Sequence, residues 1–142
     1  MPNRLSHSFE LGPPDTVRGT VVCIEDHPIN MAQVEAMLEE FPHIRLVQAV
    51  TGREGLVRVR EERPDLVLLD MNLPDIGGLQ VVRELNEEIA VDKLKVVLLT
   101  SDALSIDVVK AMSLGAHDYW LKPITRERLR AALAVALHDA AS

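Results

Sequence analysis

Residues Leu66-Val67-Leu68-Leu69-Asp70 constrain this chain more than any other stretch. Four aliphatic side chains in succession, without polar alternation, predict a strand buried on both faces, the habit of parallel sheets covered by helices. The run ends on a carboxylate, and Met71-Asn72-Leu73-Pro74 turns directly after it, which puts Asp70 on a tight loop at the strand's carboxyl end. Taken alone, an aspartate there is a cap or a turn former. The same pattern returns three times. Val21-Val22-Cys23-Ile24 ends in Glu25-Asp26, Val96-Val97-Leu98-Leu99 ends in Thr100-Ser101, and Tyr119-Trp120-Leu121 ends in Lys122-Pro123. Parallel strands deliver their carboxyl ends to one edge of the sheet, where open α/β folds bind ligands. Three acids, a hydroxyl and a lysine are therefore expected to meet at that edge.

The remaining segments supply the helices. Residues 1–18 are polar, carry Gly12-Pro13-Pro14-Asp15 and lack periodicity, so they read as an N-terminal tail or linker. A strand over Thr20–Ile24 leads to a helix that Pro28 opens and Pro42 ends. Ile44–Val50 alternates apolar with polar residues, as an edge strand does. Glu54–Glu62 forms a second helix with Leu56, Val57 and Val59 inward. Gly77-Gly78 opens a third, whose Leu79, Val81, Val82, Leu85 and Ile89 recur at three- and four-residue steps. Ser105 or Asp107 caps a short fourth helix that Gly115 stops, a strand covers His117–Leu121, and Thr125 caps the last helix. Five strands alternating with five helices predict a flavodoxin-like (βα)5 three-layer sandwich. With the alternating strand at an edge, the parallel order is 2-1-3-4-5. The domain spans residues 19–138, with 139–142 as a C-terminal tail.

Composition narrows the function. A net charge of -7 argues against a nucleic-acid surface. Cys23, the single cysteine, lies in an apolar run; it reads as a buried, inert thiol, and a chain without an internal disulfide suits the cytoplasm. No apolar run approaches the roughly 18 residues that span a bilayer, so no membrane association is expected. His27, His43, His117 and His138 are scattered without metal-ligand spacing, and Thr51-Gly52-Arg53-Glu54-Gly55 does not match a phosphate loop.

Packing Glu25, Asp26 and Asp70 together is unfavourable without a cation, because neighbouring carboxylates raise one another's pKa. An all-oxygen donor set selects Mg²⁺, with Mn²⁺ as the alternative. Lys122 could simply neutralise the acids. A metal, a lysine and the Thr100 hydroxyl around one aspartate also match a phosphoryl group, which makes Asp70 a nucleophile that forms an acyl phosphate.

The acid pair Glu25-Asp26, Asp70 with Leu73-Pro74 and Gly78, Thr100, and Lys122-Pro123 resemble the receiver domains of two-component response regulators over residues 19 to 138. Separations of 44 residues from Asp26 to Asp70, 30 to Thr100 and 22 to Lys122 are typical of that family. The resemblance implies that Asp70 accepts a phosphoryl group from the phosphohistidine of a sensor histidine kinase or a histidine phosphotransfer protein. It implies direct Mg²⁺ coordination by Asp26, Asp70 and the backbone carbonyl of Asn72, with Glu25 acting largely through water. Thr100 then moves to the phosphoryl oxygen, Tyr119 rotates inward, and the face of the fourth helix, fifth strand and fifth helix is reshaped for a downstream partner or a phosphorylation-dependent homodimer. Asn72 and Asp102 stand where the family tunes hydrolysis, Asp102 with the alternative of a carboxylate without a role. The bond before Pro123 is usually cis in such domains.

Three departures accompany the likeness. Glu25 replaces the commoner aspartate, Gly77 stands where an aspartate often caps the third helix, and Trp120 either packs on the last helix or marks the docking surface. Ile24-Glu25-Asp26-His27-Pro28-Ile29-Asn30 is similar to receivers of hybrid sensor histidine kinases, and Ser8-Phe9-Glu10-Leu11 resembles the last strand of a kinase ATP domain. The reading is of a switch and not an enzyme beyond self-phosphorylation and slow autodephosphorylation. The rivals are an aspartate-nucleophile phosphatase of the haloacid dehalogenase type, which wants an aspartate at Asn72, and a phosphorylation-independent scaffold.

Overall fold

A computed structural model of the chain describes residues 11–141; of the Ser8–Leu11 likeness only Leu11 falls within them. Five parallel strands, β1 (Arg18–Ile24), β2 (His43–Ala49), β3 (Leu66–Asp70), β4 (Lys95–Thr100) and β5 (Asp118–Leu121), form one sheet in the order β2-β1-β3-β4-β5. The helices are α1 (Pro28–Leu38), α2 (Gly52–Glu62), α3 (Gly78–Glu84), α4 (Asn86–Val91), α5 (Ile106–Ser113) and α6 (Arg126–Ala141). The expected architecture and strand order are both present. No helix among the described residues is long and apolar enough to cross a membrane.

Successive strand residues point to opposite faces, and the aliphatic runs therefore feed two cores at once. Val22, Ile24, Val67, Leu69, Val96 and Leu98 pack with side chains of α2, α3 and α5. Val21, Cys23, Leu66, Leu68, Val97 and Leu99 pack with those of α1 and α6. Cys23 is wholly buried between Gln48 of β2 and Leu68 of β3, and its thiol pKa is raised, first by burial and then by the Glu25 and Asp70 carboxylates. Trp120 settles its open alternative by packing into the second core with Leu129 and Leu133, its Nε1 donating to Asp118 Oδ2 at 3.2 Å.

Three expectations shift. The third helix is two, α3 and α4, because the chain tightens at Leu85, whose N–H is shared between Val81 O (3.0 Å) and Val82 O (3.1 Å) and whose side chain stays buried. The amino-terminal segment joins the fold earlier than Thr20: Val17 is buried, β1 starts at Arg18, and Leu11 packs on the second core. At the other end, α6 runs through residues 139–141.

One glycine sets how closely a helix approaches the sheet edge. A Cβ on Gly78 would lie 2.8 Å from Met71 Cα and 3.1 Å from Asp70 O. Only hydrogen fits there, and α3 starts against the end of β3.

Candidate functional site

The carboxyl ends of β1, β3, β4 and β5 bring the acids, Thr100 and Lys122 to one edge, as their positions after four strands require. Glu25 and Asp70 are buried, 1 and 2% exposed, whereas Asp26 is exposed and leaves the cluster an open side. One carboxylate oxygen from each of the three lies within 4.8 Å of the others. Lys122 reaches across from the end of β5, its Nζ 3.0 Å from Asp70 Oδ1 and 3.2 Å from Glu25 Oε1. Asp70 Oδ1 also accepts the backbone N–H of Asn72 at 3.1 Å.

These contacts decide the electrostatics. Burial raises the Asp70 pKa, and the Asn72 N–H and Lys122 pull against it while the neighbouring Glu25 adds to it. Burial works to lower the Lys122 pKa, but the bond to Asp70 and the charges of Asp70 and Glu25 outweigh it and leave it raised. The cleft therefore holds a firmly charged ammonium beside a carboxyl that is harder than usual to ionise.

The donor set fits a hard divalent cation. Glu25 Oε2 accepts the His27 N–H at 3.1 Å, and the buried Glu25 Oε1 has the Lys122 ammonium at 3.2 Å as its partner. A single ammonium shared between two buried carboxylates, with a third carboxylate beside them, leaves the cluster short of positive charge. With the two other carboxylates beside it, the Glu25 carboxylate is suited to a cation or to a cation's bound water. Glu25, Asp26 and Asp70 supply oxygen alone, the ligand chemistry of Mg²⁺ and Mn²⁺.

The remaining expected residues lie around this cluster. Thr100 is buried, and its hydroxyl both donates to Asp102 O and accepts the Asp102 N–H, each at 3.1 Å. Asp102 does not turn to the acids; its Oδ1 accepts the Leu104 N–H at 2.9 Å. Tyr119 is 38% exposed and points away from the core that holds Trp120. The Lys122–Pro123 peptide is cis. Gly77 caps α3 without a side-chain bond, and α3 relies on the Gly78 N–H bonding Met71 O at 3.1 Å.

Sequence reasoning passed over Asp75. Its carboxylate accepts the Gly52 N–H at 2.8 Å and the Arg53 N–H at 2.9 Å, joining the loop after Asp70 to the first turn of α2. An aspartate after Pro74 reads as a turn residue, and its partners lie 22 and 23 residues away. The available signal was the helix start at Thr51-Gly52, where the Thr51 hydroxyl caps the Glu54 N–H alone and leaves the Gly52 and Arg53 N–H groups in need of an acceptor.

Comparison with known proteins agrees with this geometry. Residues 21–134 match the response regulator receiver domain family. The chain is 32% identical to Protein PilH of Pseudomonas aeruginosa over 109 residues, 77% of this chain and 89% of that one. It is 38% identical over 105 residues to the transcriptional regulatory protein AfsQ1 of Streptomyces coelicolor, covering 74% of this chain but only 45% of the relative. Its fold superposes with a TM-score of 0.74, at 27% identity, on the receiver domain of the sensor histidine kinase PA1611 of Pseudomonas aeruginosa PAO1, whose active-site cleft coordinates a magnesium ion; 84% of this chain and 98% of that one are covered. With the family match over residues 21–134, and with three acids, a lysine reaching into them and a hydroxyl at the end of β4 in a sheet of this order, the chain belongs to the response regulator receiver family.

Proposed function

We propose that the chain is a phosphorylation-operated switch of a two-component phosphorelay, with Asp70 as phosphoacceptor. The observation that carries this reading is Lys122 Nζ lying within 3.2 Å of both Asp70 and Glu25 while three carboxylates gather around one point. A carboxylate oxygen of Asp70 attacks phosphorus as the N–P bond of a donor phosphohistidine breaks, leaving an acyl phosphate on Asp70 and the imidazole on the donor. Lys122 and the Thr100 hydroxyl stabilise the charge on the phosphoryl oxygens. Asp26, Asp70 and the Asn72 carbonyl would hold Mg²⁺, with Glu25 acting largely through bound water, and the ion would supply charge neutralisation at the phosphoryl oxygens.

Thr100 must leave both Asp102 backbone groups to reach the phosphoryl group, and Tyr119 turns inward behind it. Their movement reshapes the face of α5, β5 and α6, where Leu104, Ile106, Val109 and Leu121 are exposed. A downstream partner, or a second copy of the chain, docks there. Asn72 and Asp102 set the lifetime of the phosphoryl group. The donor is a sensor histidine kinase or a histidine phosphotransfer protein of the cytoplasm, and the chain catalyses nothing beyond its own modification and its reversal.

Incubation with acetyl phosphate and Mg²⁺ tests the assignment. One phosphoryl group per chain is expected by intact-mass measurement, and none on Asp70→Asn; equal labelling of the variant refutes the role of Asp70.

A further inference from the structure

We propose that Asp75 is a positioning residue for the cation site, clamping the loop between Asn72 and Gly77 onto the amino terminus of α2. The inference rests on the receiver reading, since it concerns how this chain holds the Asn72 wall of the Mg²⁺ cleft.

The first four N–H groups of α2 are all occupied. Gly52 N and Arg53 N donate to the two oxygens of Asp75, Glu54 N donates to Thr51 Oγ1 at 3.0 Å, and Gly55 N bonds Thr51 O at 2.9 Å. A helix start is an anion site by default, and here the anion is a side chain of the loop that follows the phosphoacceptor. The backbone N–H groups of residues 52–55 are therefore all taken by acceptors within the chain and are not open to a phosphate.

Viewed from the loop, the clamp is its middle anchor. One end is fixed by the Asn72 N–H on Asp70 Oδ1, and the other by the Gly78 N–H on Met71 O. Between them lie the paired bonds of Asp75 and the side chain of Ile76, which approaches Gly52 so closely that a Cβ there would stand 2.5 Å from Ile76 Cγ1. Glycine at position 52 admits this contact. Asp75 spends its charge on the α2 N–H groups and not on the Glu25-Asp26-Asp70 cluster. Desolvation would raise its pKa, yet the Arg53 and Gly52 N–H bonds hold it down to about 2, so the clamp stays charged wherever Asp70 titrates.

Mg²⁺ binding to the full chain, by calorimetry and by Trp120 fluorescence, tests the clamp. Residues that orient a metal's ligands commonly affect affinity by about 10-fold or more. Asp75→Ala is expected to weaken Mg²⁺ about tenfold and to raise in parallel the Mg²⁺ needed for half-maximal labelling by acetyl phosphate, while the rate at saturating Mg²⁺ stays at the wild-type value. Asp75→Asn, which keeps an acceptor oxygen for one N–H, should recover part of the affinity, and the Gly52 and Arg53 amides should lose hydrogen-exchange protection in the alanine variant. Wild-type Mg²⁺ affinity in Asp75→Ala alongside deprotected Gly52 and Arg53 overturns the proposal, leaving a helix cap and nothing more. A wild-type chain that neither binds Mg²⁺ nor is labelled overturns the receiver reading and the clamp together, an outcome distinct from loss of the clamp alone.

Discussion

The two walls of the cleft are built differently. On the β1–β3 side, Glu25 and Asp70 are buried, α3 abuts the end of β3 at Gly78, and Asp75 and Thr51 satisfy the start of α2. On the β4–β5 side, Leu104 is 89% exposed, Tyr119 and Leu121 face outward, and α5 buries only Val108 and Ala111. Phosphoryl chemistry needs ligands held in place, because misplacement by an ångström is costly. A signal needs parts that can change position at small cost, and elements with few buried contacts are those. Under the proposed function, one requirement falls to each wall, and Lys122 spans the two.

Removing that span should have the largest effect. Lys122→Ala is expected to keep Mg²⁺ binding at neutral pH and to abolish the phosphorylation-dependent change in partner affinity; unchanged docking after phosphorylation would show that the walls communicate by another route. Next comes the fixed wall itself. A methyl group in Gly78→Ala meets Met71 backbone, and a loss of about 1–3 kcal/mol is expected in urea unfolding, in line with overpacking elsewhere. A wild-type midpoint would mean that this wall yields more readily than its contacts suggest.

Protons probe the same wall more gently. Because burial raises the Asp70 pKa, its protonated form is the one the fold favours. This group's contribution to stability is present at low pH and is lost as pH rises through the folded value. Mg²⁺ needs the carboxylate, so its affinity should fall on acidification, by up to about tenfold per unit, beginning above the ordinary aspartate value of about 3.9. A titration flat down to that value contradicts the burial argument. The smallest effect belongs to the exposed wall, where Leu104→Ser should change stability by no more than about 0.5 kcal/mol and leave Mg²⁺ binding intact while weakening partner docking.

The division was only half legible in the sequence. Buried strands announce themselves, since Leu66–Leu69 and Val96–Leu99 need apolar cover on both faces, and their terminal polar residues then fall on one edge. The order followed from the alternation of β2. What escaped depends on contacts far apart in the chain or on a single backbone turn. Asp75 looks like any turn aspartate until α2 is placed beside it. The break at Leu85 lies inside an uninterrupted helical periodicity. Trp120 could have faced either way on a short edge strand, and only packing against Leu129 and Leu133 decides it.

Cys23 offers a clock on the whole molecule. It sits on a strand flanked on both sides, out of reach of water and with its thiol held protonated, so a disulfide reagent can attack it only during the moments when the sheet itself comes apart. The rate of thiol labelling under native conditions thus counts global openings, and comparing that rate with and without Mg²⁺ measures how far ligand binding at one edge secures the centre of the fold.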